Sequence, residues 1–200
     1  MGCRASRLQA RALDRTTSYR YRLAVVSRGS AQRLVVDSSP LIYLAKLEAL
    51  DVFKIDAPAL MTEGVRQEVL VPQAAVRFPE MARIDGALRE GRLTIEPLRK
   101  EEQASADDIR SRIPGLGLGE RESMAMAAAR GLAVVLHDRR ASRVGRAMGI
   151  AVVGPLELLF ERTVDEGVLE ERIRTFARLV DMRIEGLEQL LDRLKERSRW

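Results

Sequence analysis

The chain reads as an α/β protein, with a parallel central sheet flanked by helices and a helical C-terminal extension. Three observations predict this class. Short apolar runs alternate with helix-like segments from residue 33 to about residue 163. Four acidic residues, Asp37, Glu68, Glu120 and Asp138, stand where a strand-like run gives way to a helix-like one or open the helix itself. The composition of 200 residues, 46% hydrophobic and 32% charged, suits one sizeable core with extensions.

The elements follow in order. A strand over 33–36 leads into Ser38-Ser39-Pro40, where serine suits a helix cap and proline the first turn. Leu41, Tyr43, Leu44, Leu47 and Leu50 then recur at helical spacing. Ala59–Met61 is a second short strand, and Thr62 is placed to cap a helix carrying Val65, Glu68 and Val69. Phe78–Glu90 reads as a helix ended by Gly91, Leu93–Leu98 as a strand, and the polar segment 99–112 as a helix. Pro114-Gly115-Leu116-Gly117-Leu118-Gly119 reads as a flexible loop, followed by an Ala/Met-rich helix over 120–130 that stops at Gly131. A strand at 132–136, a helix at 139–148, a strand at 150–153 and a helix at 155–162 complete the series. The last forty residues are helical in pattern, with Leu169, Ile173, Phe176 and Leu179 on one stripe and Ile184, Leu187, Leu190, Leu191 and Leu194 on another. Boundaries at 1–32, 33–163 and 164–200 therefore separate a basic arm, an α/β domain and a helical extension.

Composition excludes several chemistries. One cysteine, Cys3, rules out an internal disulfide framework and a cysteine-based metal cluster, and one histidine, His137, rules out a multi-histidine zinc site. No apolar run approaches the ~20 residues that span a bilayer, so a cytoplasmic protein is expected. The net charge of +5 is local: residues 1–33 hold eight arginines and one acid, a net +7, which leaves −2 for the rest. The Arg/Ser/Thr-rich arm reads as disordered. It is either an arm for RNA phosphates or a leader outside the fold.

Parallel sheets gather the residues beyond their strand ends into one crevice, where crowded carboxylates repel one another and attract a cation. Each acid also admits a simpler role. Asp37 and Asp138 both precede helices and would serve as N-caps, Glu120 would complement a helix dipole, and Glu68 would be a solvated helix residue. Their conjunction is the stronger signal, because Asp37 and Asp138 follow different strands and meet in one crevice if those strands are neighbours.

At these residues the chain resembles PIN domains, the nuclease fold of VapC-type toxins. Leu34-Val35-Val36-Asp37-Ser38-Ser39-Pro40-Leu41-Ile42 resembles the family's opening motif, and Leu60-Met61-Thr62-Glu63-Gly64-Val65-Arg66-Gln67-Glu68-Val69 its second. Gly119-Glu120-Arg121-Glu122-Ser123-Met124-Ala125-Met126-Ala127 resembles the third, and Val134-Val135-Leu136-His137-Asp138-Arg139-Arg140 the fourth. The similarity runs from about Arg33 to about Phe160 and is closest to a prokaryotic subgroup with an extra helical C-terminus. Three departures stand out. Thr62 replaces a frequent proline, His137 replaces a frequent acid, and Glu122 competes with Glu120 for the third role. Glu120 is preferred for its distance to Gly131, since Glu122 faces about 200° around the helix.

The resemblance implies a Mg²⁺- or Mn²⁺-dependent endoribonuclease, the toxin of a toxin–antitoxin pair, with RNA as substrate, a protein antitoxin as partner and a homodimer as assembly. Hard oxygen donors suit these ions. Asp37 and Asp138 would be the principal ligands, with Glu68 and Glu120 binding directly or through water, and Ser38 or Ser39 bonding a ligand carboxylate or a bound water. Arg139, Arg140, Arg143 and Arg146 would contact phosphates or form a solvated face. The alternative is a catalytically inactive PIN fold that binds RNA or protein. His137 reads as structural or exposed, or as a general acid. The glycines before Glu120 lack the strand and lysine of a nucleotide loop.

Overall fold

The computed structural model describes residues 33–71 and 78–197; the arm at 1–32 and its arginines lie outside the described residues. Five parallel strands form one sheet: β1 (Leu34–Val36), β2 (Ala59–Met61), β3 (Leu93–Ile95), β4 (Ala133–Val135) and β5 (Val152–Val153), in the order β3-β2-β1-β4-β5. Helices α1 (Ser38–Lys46), α2 (Glu63–Val69), α3 (Pro79–Arg89), α4 (Lys100–Arg112), α5 (Leu118–Arg130), α6 (Arg139–Ala147), α7 (Pro155–Arg162), α8 (Glu166–Leu179) and α9 (Ile184–Arg197) connect and flank them. The expected α/β class, with C-terminal helices, is what the chain adopts.

The strands are only two or three residues long, but both of their faces are covered. Leu34, Val36, Ala59, Met61, Ala133 and Val135 point into one apolar cluster with α1, α2, α7 and α8, while Val35, Leu60 and Val134 point into a second with α4, α5 and α6. Alternation along each strand thus feeds two cores. In the central pair, Leu34, Val35 and Val36 lie opposite Ala133, Val134 and Val135, and the Asp37 N–H donates to the Val135 carbonyl at 3.2 Å. β1 has β2 on one side and β4 on the other, so the chain's direction of winding reverses between β1 and β4.

Several boundaries differ from the sequence reading. α1 stops at Lys46 because Glu48 adopts a left-handed conformation with φ 53°, letting the Ala49 N–H reach back to the Leu44 carbonyl at 2.8 Å. This closes the helix as a glycine would. A 3-10 turn over Leu50–Val52 takes up the apolar residues expected to extend α1. β3 ends at Ile95, short of Leu98. α5 begins at Leu118, so Gly119 belongs to a helix and not to a flexible loop. The left-handed Gly131 (φ 63°) ends it as expected.

α8 and α9 bury Leu169, Ile173, Phe176, Leu190 and Leu194 in the same cluster as Val36 and Leu41. Polar contacts fix the register: Arg172 donates to Asp51 at 2.7 Å, to the Glu48 carbonyl at 2.9 Å and to Thr163 Oγ1 at 3.2 Å. On the other side of the sheet, Glu102 is 0% exposed and accepts from Arg130 at 2.7 and 3.0 Å and from the Arg99 N–H at 2.8 Å. Arg130 also pairs with Glu96, joining α4, α5 and the end of β3. Among the described residues no helix is long and apolar enough to cross a membrane.

Two consequences are measurable. Removing residues 164–200 exposes the apolar side of α1 and α7, so the truncated chain loses its cooperative unfolding transition in circular dichroism; a retained transition with native helix content is the contrary result. Arg130→Ala leaves the Glu102 charge buried without its partner and lowers the free energy of unfolding in urea by about 3–5 kcal/mol.

Candidate metal centre

The strand order reverses between β1 and β4, and in open parallel sheets the crevice beyond the carboxyl ends of such strands is the usual place for a site. Asp37 is the first residue beyond β1 and occupies the N-cap position of α1, yet its carboxylate makes no capping bond to the helix. It is only 2% exposed. Burial raises its pKa from the ordinary 3.8 to about 7, and Glu120 and then Glu68 push the same way; bonds from the Ser38 backbone and hydroxyl offset part of this. A buried carboxylate with its pKa raised in this way, at the end of a parallel strand, marks a candidate functional site.

Glu68 reaches this carboxylate from α2. Its Oε2 accepts a short bond from the Ser38 hydroxyl, which also lies 3.4 Å from Asp37 Oδ1. Its Oε1 accepts from the Gly119 N–H at 3.1 Å. The sequence left Ser38 and Ser39 as alternatives; the structure places Ser38 between the acids and Ser39 on the exposed side.

Gly119 was missed as a site residue. A Cβ there would stand 3.1 Å from Asp37 Oδ1, 3.1 Å from Glu68 Oε2 and 3.1 Å from Val65 Cγ2. Its bare Cα keeps the space between the two carboxylates open. The signal was its position beside Glu120, which the run of alternating glycines disguised as a hinge.

The third-motif acids diverge. Glu120 accepts the Gly117 N–H at 2.8 Å at the start of α5 and bears electrostatically on Asp37. Glu122 is buried and accepts the Gly64 N–H at 2.9 Å, joining α5 to the first turn of α2. Asp138 serves as the N-cap of α6: its Oδ1 accepts from the N–H groups of Arg140 and Ala141 at 2.7 and 2.8 Å. It lies at the same end of the sheet as Asp37, and its charge bears on His137, whose pKa is lowered by burial against the pull of Asp138.

Beside the crevice, Arg139, Arg140 and Arg143 are exposed on α6, and Arg140 donates to the Pro114 carbonyl at 2.7 Å. Arg146 lies on the same helix and is also exposed.

A family model described as a PIN domain, DUF3368, matches residues 33–198. The chain belongs to this PIN-domain family. Membership carries a nuclease-type fold, and the matched region includes α8 and α9. Among solved structures, the chain is similar to a PilT N-terminus domain protein of the hyperthermophilic archaeon Sulfolobus solfataricus P2, with 14% identity and a TM-score of 0.43 over 67% of this chain and 96% of that one. No curated protein matches the chain.

Among the described residues, no group of three or more His, Cys, Asp or Glu side chains is arranged to hold a metal ion as it stands. The Asp37–Glu68 pair of this PIN domain nevertheless fits a hard cation. Its donors are carboxylate oxygens, and the gap at Gly119 lies between them.

Two measurements test the site. Because Asp37 holds a proton in the folded state that the unfolded chain releases above pH 3.8, metal-free stability falls as pH rises from there to about 7. Asp37→Asn abolishes this loss, so above pH 7 the variant is more stable than wild type by up to about 4 kcal/mol, with the gap closing toward pH 4; urea titrations across pH read it. Gly119→Ala fills the space between the acids while improving helix propensity. Mn²⁺ affinity by calorimetry should drop at least tenfold, with stability changed by no more than about 1 kcal/mol.

Proposed function

We propose that this PIN domain is a Mg²⁺- or Mn²⁺-dependent endoribonuclease, the toxin of a toxin–antitoxin pair acting on RNA in the cytoplasm, with a protein antitoxin as partner and a homodimer as its assembly. The observation that carries the nuclease reading is the buried Asp37 carboxylate, which forgoes capping α1 and faces Glu68 across the gap at Gly119. The toxin, antitoxin and dimer assignments rest on the resemblance of its four acidic motifs to VapC-type proteins.

In this reading Asp37 and Glu68 would hold the ion, and Glu120 and Asp138 would contribute to binding it directly or through water. A bound cation would supply charge stabilisation at a phosphodiester and would activate water. It would have to displace the Asp37 proton, so its affinity would rise with pH up to about 7 and level off above it. Ser38 holds Glu68 toward Asp37, and Gly119 orients the other oxygen of Glu68. Arg139, Arg140 and Arg143 offer cationic groups to RNA phosphates beside the acids.

A second reading is a PIN fold that binds RNA or protein without cutting. It is favoured by one observation: Asp138 Oδ1 is already engaged by two backbone N–H groups of α6. Asparagine caps as well as aspartate, so Asp138→Asn separates the two roles of this residue. With Mn²⁺ supplied, wild type should cleave mixed RNA. Asp37→Asn, Glu68→Gln and Asp138→Asn should each lose about a hundredfold or more in rate. Equal cutting by wild type and Asp37→Asn, or none by wild type, favours the binding module. Growth arrest on expression, relieved by Asp37→Asn, tests the toxin assignment separately.

A further inference from the structure

Three aromatic side chains from distant parts of the chain meet, and one of them, His137, directly precedes Asp138. Tyr43 and His137 have ring centroids 4.8 Å apart with planes at 68°, Tyr43 and Phe176 5.5 Å apart at 66°, and His137 and Phe176 5.7 Å apart at 86°. All three pairs are edge-to-face, within the range of favourable aromatic geometry. The three rings form a closed triangle, so each one restricts the other two.

The chain positions give the triangle its meaning. Tyr43 is on α1, the helix that begins directly after Asp37. His137 directly precedes Asp138, and strand alternation turns it toward the face of Ala133 and Val135. Phe176 is on α8, held by the buried Leu169 and Ile173 and by the Arg172 bonds to Glu48 and Asp51 just beyond the end of α1. Asp138 itself is exposed.

We infer that His137 is a positioning residue, clamped between Tyr43 and Phe176 so that the C-terminal helix α8 sets where the Asp138 carboxylate stands relative to Asp37. The effect on metal binding rests on the proposed nuclease reading, whereas the effect on Asp138 does not. The ring acts through its shape and edge contacts, so a flat ring of similar size replaces it and a methyl group does not.

The test uses the full chain and two readouts. Hydrogen exchange at the Arg140 and Ala141 amides, which Asp138 caps, reports carboxylate position without metal. Mn²⁺ titration reports the site. His137→Ala should speed exchange at those two amides about tenfold over the amides of β1 and β4, and weaken Mn²⁺ binding by a similar factor. His137→Phe should restore both. Phe176→Leu, which keeps apolar volume but removes the ring, should move both in the same direction as His137→Ala.

Unchanged exchange and unchanged Mn²⁺ binding in His137→Ala overturn the inference. So does a uniform rise across β1 and β4, which marks general loss of packing, and so does a His137→Phe variant that behaves like His137→Ala. If His137→Ala fails to fold, His137→Phe and Phe176→Leu decide by the same readouts. If wild type binds no Mn²⁺ while the two amides respond, the positioning role stands and the metal reading of the site falls.

Discussion

Pairing of β1 with β4 is the constraint on which the site depends. Three residues of each strand lie in register, and the Asp37 N–H adds one more bond to Val135. This pairing places residues separated by about a hundred positions at one sheet end. It also makes that end the reversal point of the winding, from which helices α1 and α6 diverge. A crevice between diverging helices follows from the geometry of an open parallel sheet. Asp37 and Asp138 stand directly beyond these two strands, and Glu68 and Glu120 bear on Asp37 from α2 and α5.

Electrostatics then differentiates carboxylates that look alike in sequence. Asp37 and Asp138 each occupy an N-cap position, but Asp138 receives two helix N–H groups and Asp37 does not cap. Burial and the charges of Glu120 and Glu68 make ionised Asp37 unfavourable in the metal-free fold. The fold thus holds Asp37 in an environment that disfavours its charge. Glu122 and Glu120, two residues apart, separate in the same way. One locks Gly64 in the interior, and the other remains at the helix start where it bears on Asp37. Gly119 completes the arrangement by what it lacks.

The C-terminal helices take part in this core as much as the sheet does. Leu169, Ile173 and Phe176 pack with residues of β1 and α1, and Arg172 ties α8 to the turn beyond α1. Their apolar stripes were mostly legible because helical periodicity is local, although Leu179 and Ile184, expected on those stripes, are exposed. Their destination was not, since a stripe specifies that a face is buried without saying against what. The closing of α1 at Glu48 was similarly hidden, because a left-handed glutamate carries none of glycine's signature.

By itself the sequence determined the alternation of elements, the two-faced burial of the strands, the caps at Thr62 and Gly131, and the positions of the four acids at element boundaries. These depend on local propensity and periodicity, which residues carry individually. Only the tertiary structure decided that Ser38 and not Ser39 bridges the acids, that Gly119 opens the space between Asp37 and Glu68, that Glu122 is a structural lock, and that His137 meets Tyr43 and Phe176. Each of those outcomes depends on what an element 30 to 100 residues away brings alongside it, and no local pattern encodes the direction of that approach.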